Sequence, residues 1–339
     1  MSLEKLLARY LPFIEEEMRA IIQETDPRHA GLFGMLQYHM GWVDDSFNPY
    51  QARAGKRIRP MLCLLTCGAC GGDWKQALPA AAAVELMHNF TLIHDDIEDG
   101  DEVRRDRTAV WALWGEAQGI NAGDTLFALA QIAMLQLIER DVSAETVVET
   151  IRLLNHTCVA LTGGQYLDIG FESRTDISVT DYLAMVDGKT AALAACACKL
   201  GALIAAAPPE QREYLGSFGR HMGMAFQMRD DVLGIWGDPA VTGKPAGADI
   251  ARRKKSLPIL HGWGQSTELR ALFTQDTLSA TDIERATKLL EETSSREYTN
   301  QLTLKYHSQA LDNLEKANIE GPDAQALYEL AQALLDRDR

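Results

Sequence analysis

The sequence predicts an all-α protein, a single large helical bundle, and three observations predict it. Apolar residues recur at helical spacing along almost all of the 339 residues, and no stretch sustains the alternation of a half-buried strand. Helix-start and helix-stop chemistry punctuates the chain: Pro79 suits a first turn, Ser178-x-x-Asp181 and Ser279-x-x-Asp282 read as capping boxes, and Gly100 closes a long apolar run. The breaks, at 71–73, 170–177, 208–209 and 237–247, are short and none has the composition of a flexible linker. One domain over 1–339 is therefore expected, of about ten or more helices of ordinary length, with room for a polar site between facing helices.

Each element follows from its residues. MSLEKLLARYLPFIEEEMRA is an amphipathic charged helix that lacks the basic region, apolar core and cleavage site of a secretory signal. RPMLCLLTCGAC is apolar enough for a buried helix. Its Cys63, Cys67 and Cys70 have a C-x3-C-x2-C spacing that also suits an iron–sulfur cluster, but cysteine as a small hydrophobe is the simpler reading. LPAAAAVELMHNFTLIHDDIED runs from the first-turn proline to Gly100. NAGDTLFALAQIAMLQLIER and AETVVETIRLLNHTCVAL continue the pattern, followed by an alanine-rich helix after Ser178 and a helix ending in FQMRDDVLGIW. The last third is more polar and still helical.

Composition excludes several function classes. A net charge of −15 disfavours nucleic acid as a partner, because phosphate backbones need a basic surface. It leaves phosphorylated ligands open, since a bound divalent cation reverses the local sign. Six cysteines in a chain this long are no disulfide scaffold. No apolar run reaches the ~20 residues of a membrane span, and a cytoplasmic protein is expected.

The informative stretch is LIHDDIEDGDEVRR. Residues four apart share a helix face, so Asp95 and Asp99 project together with Asp96 beside them. They lie at a helix C-terminus, where the dipole disfavours negative charge. Asp230 and Asp231 form a second pair after another apolar helix, with Gln227 one turn before. Basic groups stand beside both clusters: Lys56, Arg57 and Arg59 in GKRIRP, Arg104 and Arg105, Lys189 in DGKT, and Lys244 and Lys254 in TGKPAGADIARRKKSLP. Each alone reads as a surface ion pair. Together, oxygen ligands beside Arg forks and Lys charges fit a diphosphate bridged by Mg²⁺.

GKRIRP, ELMHNFTLIHDDIEDGDEVRR, GQYLD, DGKT, FQMRDD and GKPAGAD, in that order over about residues 30–262, resemble the trans-isoprenyl diphosphate synthases, the polyprenyl synthetase family, and most resemble its geranylgeranyl diphosphate synthases. The resemblance implies an isoprenoid-synthase bundle around a deep central cavity, three Mg²⁺ ions replaceable by Mn²⁺, and a homodimer. It implies that Asp95, Asp96 and Asp99 bind Mg²⁺ holding the allylic diphosphate. Asp230 takes a further ion, supported by Asp231, Asp249 and Gln227. Arg104, Lys189, Lys244 and Lys254 contact the allylic diphosphate, and Gln227 lies with them. Lys56, Arg59, His88 and Arg105 hold isopentenyl diphosphate, and Thr190, Gln165 and Phe226 line the reacting centre. The allylic C–O bond ionises, the isopentenyl double bond attacks the cation, and a proton leaves, released diphosphate being the expected base. One departure stands out: the second motif reads DDVLG, with Gly234 where an acid is expected. Little loss of activity is expected from it, and Asp238 is a weak candidate to compensate.

Product length is read from the helix ending at Asp95. Phe90 and Met87, five and eight residues earlier, are bulky enough to stop the growing tail, although core packing alone also explains them. An aromatic five before D-D-x-x-D, with Thr91 not aromatic, resembles the archaeal-type geranylgeranyl synthases; C20 is expected, with C15 second. An HD-type phosphohydrolase explains neither GKRIRP nor the second Asp pair. A class I terpene cyclase has no use for the isopentenyl set. A non-catalytic partner subunit is expected to lose motif acids that this chain keeps.

Overall fold

The computed structural model describes residues 3–24, 26–52, 55–239, 245–275 and 277–335. Its helices are α1 (Leu3–Ile21), α2 (Ala30–Met40), α3 (Ile58–Ala69), α4 (Leu78–Glu98), α5 (Val110–Trp114), α6 (Glu116–Leu135), α7 (Ala144–Glu172), α8 (Val179–Val186), α9 (Ala192–Ile204), α10 (Pro209–Trp236), α11 (Ala248–Ala251), α12 (Leu257–Trp263), α13 (Thr267–Leu272), α14 (Ala280–Glu292), α15 (Ser295–Lys316) and α16 (Pro322–Leu335). Among the described residues the strands are β1 (Val103–Arg104) and β2 (Arg107–Thr108), an antiparallel ribbon that periodicity does not announce because each strand has two residues. The all-α class is as predicted. Both capping boxes are formed, and Pro79 sits in the first turn of α4. The break expected at 170 falls slightly later, because α7 runs through Gly170 to Glu172. No helix among the described residues is long and apolar enough to cross a membrane.

The chain divides into two compact units, neither of them continuous in sequence: Met1–Asn155 with Ala197–Arg212 and Ile319–Leu327, and His156–Cys196 with Glu213–Asn318 and Tyr328–Arg339. In the first, α4 packs along α6 and against α3 and α1. Its run Ala80–Ala81–Ala82–Ala83 is fully buried, and small side chains let neighbouring helices approach closely. Tyr10 Oη donates to Asp323 Oδ1 at 2.7 Å, tying α1 to the start of α16. In the second unit a core of Phe171, Tyr182, Met228, Ile235, Trp263 and Leu290 joins α7, α8, α10, α12 and α14.

A buried ion-pair network fixes the start of α3. Arg57 precedes that helix in the left-handed conformation (φ 49°, ψ 36°), unusual for a residue with a side chain. Its guanidinium donates from Nε to Glu15 Oε1 and from Nη1 to Glu85 Oε1, both at 2.8 Å. Asn89 Nδ2 donates to the same Glu85 oxygen at 3.1 Å. Loss of hydration works against the charge on Arg57, but Glu85 and Glu15 outweigh it and hold its pKa above the ordinary value. The network anchors GKRIRP to α1 and α4 and leaves Lys56 exposed and Arg59 half-buried. Glu85→Ala strands the guanidinium inside the protein, so a loss of about 3–5 kcal/mol is expected. Urea unfolding checks this; a loss within error of zero would mean that the network holds nothing.

Candidate active site

The first acidic cluster closes α4. Asp95 and Asp96 occupy its last turn, Asp99 is the C-cap, and Gly100 turns the chain out with φ 65°. The β1–β2 ribbon then reverses through Arg105 and Asp106, both left-handed, as a two-residue hairpin requires. Arg107 secures the ribbon to α2, donating to the carbonyls of Tyr38 (2.8 Å) and Val43 (2.7 Å), with its guanidinium 3.7 Å from the centroid of the Tyr38 ring. This brings Arg104 back onto Asp96: Nε donates to Asp96 Oδ1 at 2.7 Å, and Nη2 reaches the same oxygen. Asp96 is buried, and its Oδ2 has no hydrogen-bond partner. Burial lifts the Asp96 carboxyl above its ordinary range against the pull of Arg104. Asp95 is half-buried and Asp99 exposed.

Cations gather beside that cluster in the same unit. Arg59 Nη1 lies 3.3 Å from His88 Nε2. Arg105 lies against Gly55, where a Cβ would sit 2.9 Å from Nη2. Loss of hydration, then Arg59 and Arg105, hold the His88 imidazole well below its ordinary pKa. His39 is depressed likewise, by loss of hydration and then by Arg105, Arg104 and Arg57. His39, Arg104 and Arg105 line one cavity with Tyr38 and Arg107. Three guanidiniums and one imidazole lining that cavity, with Arg105 also acting on the Arg59–His88 pair, make a receptor for an anion.

The second unit carries the other charged set. Gly164 of α7 and Gly188 meet so closely that a Cβ on Gly164 would lie 2.2 Å from the Lys189 amide nitrogen. That approach coincides with a π-helical turn at Asp187–Ala191, which re-aims Lys189 and Thr190. Lys189 Nζ donates to Asp168 Oδ2 at 2.6 Å. Thr190 Oγ1 donates to Gln227 Oε1 at 3.1 Å, and Gln227 Nε2 donates to Asp231 Oδ1 at 3.1 Å. Asp231 Oδ2 accepts from Tyr182 Oη at 2.6 Å and from the Leu257 amide at 2.9 Å. Loss of hydration lowers the Lys254 pKa, but Asp231, Asp249, Asp168 and Asp230 outweigh it and hold it up at about 12.

The predicted residues therefore divide. The first unit brings together Asp95, Asp96, Asp99, Arg104, Arg105, Arg59 and His88. The second brings together Lys189, Thr190, Gln227, Asp230, Asp231, Asp249 and Lys254. Arg57, read in the sequence as one of the phosphate-side cations, is instead committed to the buried Glu85 and the half-buried Glu15. Both oxygens of Asp231 are engaged by protein donors, whereas Asp230 is half-buried. Phe226 lines a small apolar cavity with Met222, Ala225, His307 and Leu334. Gln165 is half-buried on α7. Lys244 lies outside the described residues. Met87 is fully buried, and the Phe90 ring meets Phe127 at 5.5 Å and His94 at 5.4 Å, edge to face. Thr91 turns its hydroxyl back to the His88 carbonyl at 2.8 Å. Sequence reasoning missed Asp168, although it lies inside the quoted GQYLD. It also missed His39, Tyr182, Arg107 and Phe127, which carry no local signal.

The carboxylates fit a hard cation. Asp96 Oδ2 is a buried oxygen without a donor, and the remaining acids are oxygen ligands of the kind Mg²⁺ takes. Among the described residues no three His, Cys, Asp or Glu groups converge closely enough to hold a metal alone. That suits an ion whose other positions go to water and substrate phosphate. Burial pushes the Cys67 thiol up to about 12 and the Cys70 thiol up to about 11, as for cysteines that serve as small hydrophobes.

Residues 40–290 match the profile of a family described as polyprenyl synthetase. A (2E,6E)-farnesyl diphosphate synthase of Mycobacterium tuberculosis is 38% identical over 332 residues, 96% of this chain and 90% of that one. A geranylgeranyl diphosphate synthase of the same strain is 44% identical over 278 residues, 80% and 77% of the two chains. The crystal structure of a polyprenyl synthetase from Streptomyces coelicolor superposes with a TM-score of 0.91 at 34% identity, covering 98% of this chain and 100% of that one.

The depressed histidines set a pH dependence. The folded protein keeps His39 and His88 unprotonated where the unfolded chain, with imidazoles near 6.5, takes up protons. Their contribution is intact above that value and is lost as pH falls below it. Urea midpoints should drop between about pH 7 and about pH 5, and the His39→Gln/His88→Gln chain should show a shallower drop. Parallel slopes would mean that the imidazoles titrate normally.

Proposed function

Because the chain belongs to the polyprenyl synthetase family and is a short-chain trans-prenyl diphosphate synthase, we propose that it is a Mg²⁺-dependent enzyme that condenses isopentenyl diphosphate with an allylic diphosphate and stops at geranylgeranyl diphosphate (C20). The observation that carries the condensing reaction is the gathering of Arg59, His88 and Arg105 beside the first acidic cluster, a cationic set additional to the Arg104 that closes over Asp96. A cyclase or a phosphohydrolase acting on one diphosphate has no use for that second cationic set.

Asp95, Asp96 and Asp99, and in the second unit Asp230 and Asp249, would hold Mg²⁺, three ions by family resemblance, with Mn²⁺ able to replace it. When bound, the metal supplies Lewis-acid neutralisation of the departing diphosphate. By the family resemblance, the cations for the allylic diphosphate oxygens would be Arg104 of the first unit and Lys189, Lys254 and Lys244 of the later chain, and those for isopentenyl diphosphate would be Lys56, Arg59, His88 and Arg105. A neutral His88 donates one hydrogen bond without adding charge. As the allylic C–O bond breaks, its electron pair goes to the diphosphate. The isopentenyl double bond then forms the new C–C bond, and the released diphosphate takes the proton lost from the adjacent carbon. The carbocation needs negative dipoles and no nucleophile. Asp231 fixes the Gln227 amide by accepting from Nε2, which turns Oε1 toward Thr190 and aims oxygen dipoles at developing positive charge. Asp231 thus acts through Gln227.

Phe90, backed by Phe127 and with the buried Met87 three residues earlier on α4, supports the C20 reading as a steric floor. C15 is the second reading, since relatives of both names are comparably similar. Exposed Ile132, Leu135 and Ile138 near the end of α6, and Val148, Val159 and Tyr166 along α7, support a homodimer. No nucleic acid partner is proposed, and the expected compartment is the cytoplasm.

Purified protein given Mg²⁺, isopentenyl diphosphate and dimethylallyl, geranyl or farnesyl diphosphate should yield a C20 alcohol after dephosphorylation, and EDTA should abolish it. Phe90→Ala should lengthen the product, while Asp95→Asn and Asp230→Asn should each lower kcat by about 10²–10³-fold. A C15 stop would overturn the chain-length reading alone, and allylic consumption without condensation would overturn the reaction. Sedimentation should show a dimer that Ile132→Glu/Leu135→Glu converts to monomer; a wild-type monomer would reject the interface.

A further inference from the structure

Gly234 occupies the fifth position of the second acidic motif, one helical turn after Asp230 and on the same face of α10. A Cβ built there would lie 2.2 Å from Oδ2, 2.5 Å from Cγ and 2.9 Å from Oδ1 of Asp249. The Asp249 carboxylate already fills the space that any side chain at 234 must enter. Its backbone is held there independently. The Gly247 amide donates to the Ile235 carbonyl at 3.0 Å, and the Lys254 amide donates to the Asp249 carbonyl at 2.9 Å. Gly247 accepts this geometry with φ 74°, which favours glycine. The segment from 247 to 254 is thus clamped against the end of α10, with the Asp249 carboxylate pressed onto the one position that lacks a side chain. Lys254 feels the charges of both Asp249 and Asp230.

We propose that Asp249 supplies from α11 the carboxylate that the missing fifth acid would have supplied from α10, and that Gly234 is the positioning residue that gives it room. The acidic complement of the second motif is complete, with its third carboxylate delivered from a different element. DDVLG is then no weakened motif. Completing it in sequence damages it in space, because a side chain at 234 collides with a carboxylate and adds a like charge beside it. The fold has a cheap escape from that collision, since an Asp side chain can rotate away. The cost therefore falls on ligand geometry before it falls on stability. This inference rests on the diphosphate reading above, since it concerns the same site.

The test is Mn²⁺ binding followed by electron paramagnetic resonance in the presence of inorganic diphosphate, with melting temperature and condensation rate measured beside it. Gly234→Ala, Gly234→Asp and Asp249→Ala should each weaken Mn²⁺ binding by about tenfold or more, with condensation falling in parallel. Gly234→Asp/Asp249→Ala should bind more tightly than either single variant, because the introduced carboxylate then has space. Wild-type affinity in Gly234→Asp, or in Asp249→Ala, which cannot clash and so tests the carboxylate even if the first variant misfolds, would overturn the inference. A double variant no better than the singles would overturn it as well. Wild-type protein that binds Mn²⁺ with this pattern but fails to condense would overturn the diphosphate synthase reading and leave the Gly234–Asp249 relation standing.

Discussion

Crowded carboxylates need positive charge beside them, and each acidic cluster of this protein has some. Arg104 closes over Asp96, Lys189 over Asp168, and Lys254 sits in the field of Asp231, Asp249, Asp168 and Asp230. At the end of α4 the demand is sharper, because the helix dipole adds its own negative end to the aspartates. The cations that relieve this repulsion are also the groups a diphosphate would use. A metal diphosphate brings positive ions for the carboxylates and anionic oxygens for the Lys and Arg. The charge balance that makes the fold tolerable is therefore also the one that the proposed diphosphate site would use.

A second regularity runs through the paired charges. In Asp95–Asp96, Asp230–Asp231 and Lys56–Arg57, one member is buried and engaged by protein, and the other faces outward to a greater degree. In the two aspartate doublets, neighbours on a helix point about 100° apart, so a doublet at the rim of a core splits this way; Lys56–Arg57 stands before α3, and there the left-handed turn at Arg57 goes with the split. The buried partner meets its desolvation cost through several hydrogen bonds, as Asp231 does with Tyr182, Leu257 and Gln227. Its function is to hold a side chain or a loop still. Arg57 does the same for the segment that carries Lys56 and Arg59.

Close backbone approach is the third element. Gly164 against the Lys189 amide, with the π-helical turn beside it, sets the aim of Lys189 and Thr190. Gly234 under Asp249 sets where a carboxylate from another helix can stand. In both places the missing side chain is informative, because it admits a functional group from a different part of the chain.

The helices, their caps and the two aspartate motifs were legible in the sequence, because periodicity, capping boxes and i to i+4 spacing are local. So was the order of basic motifs that led to the family. Phe90 and Met87 were legible as bulk on one helix, but the ring of Phe127 that backs Phe90 was not. Which aspartate of each pair turns inward, that Arg57 serves Glu15 and Glu85, that His39 joins the cations, and that Tyr182 and Asp168 stand behind Gln227 and Lys189 were decided only by tertiary structure. The same holds for Gly234, which reads as a gap in one dimension and as a seat for Asp249 in three. Spacing along a helix determines which residues share a face, whereas burial, partner and charge state depend on what another segment brings to that face.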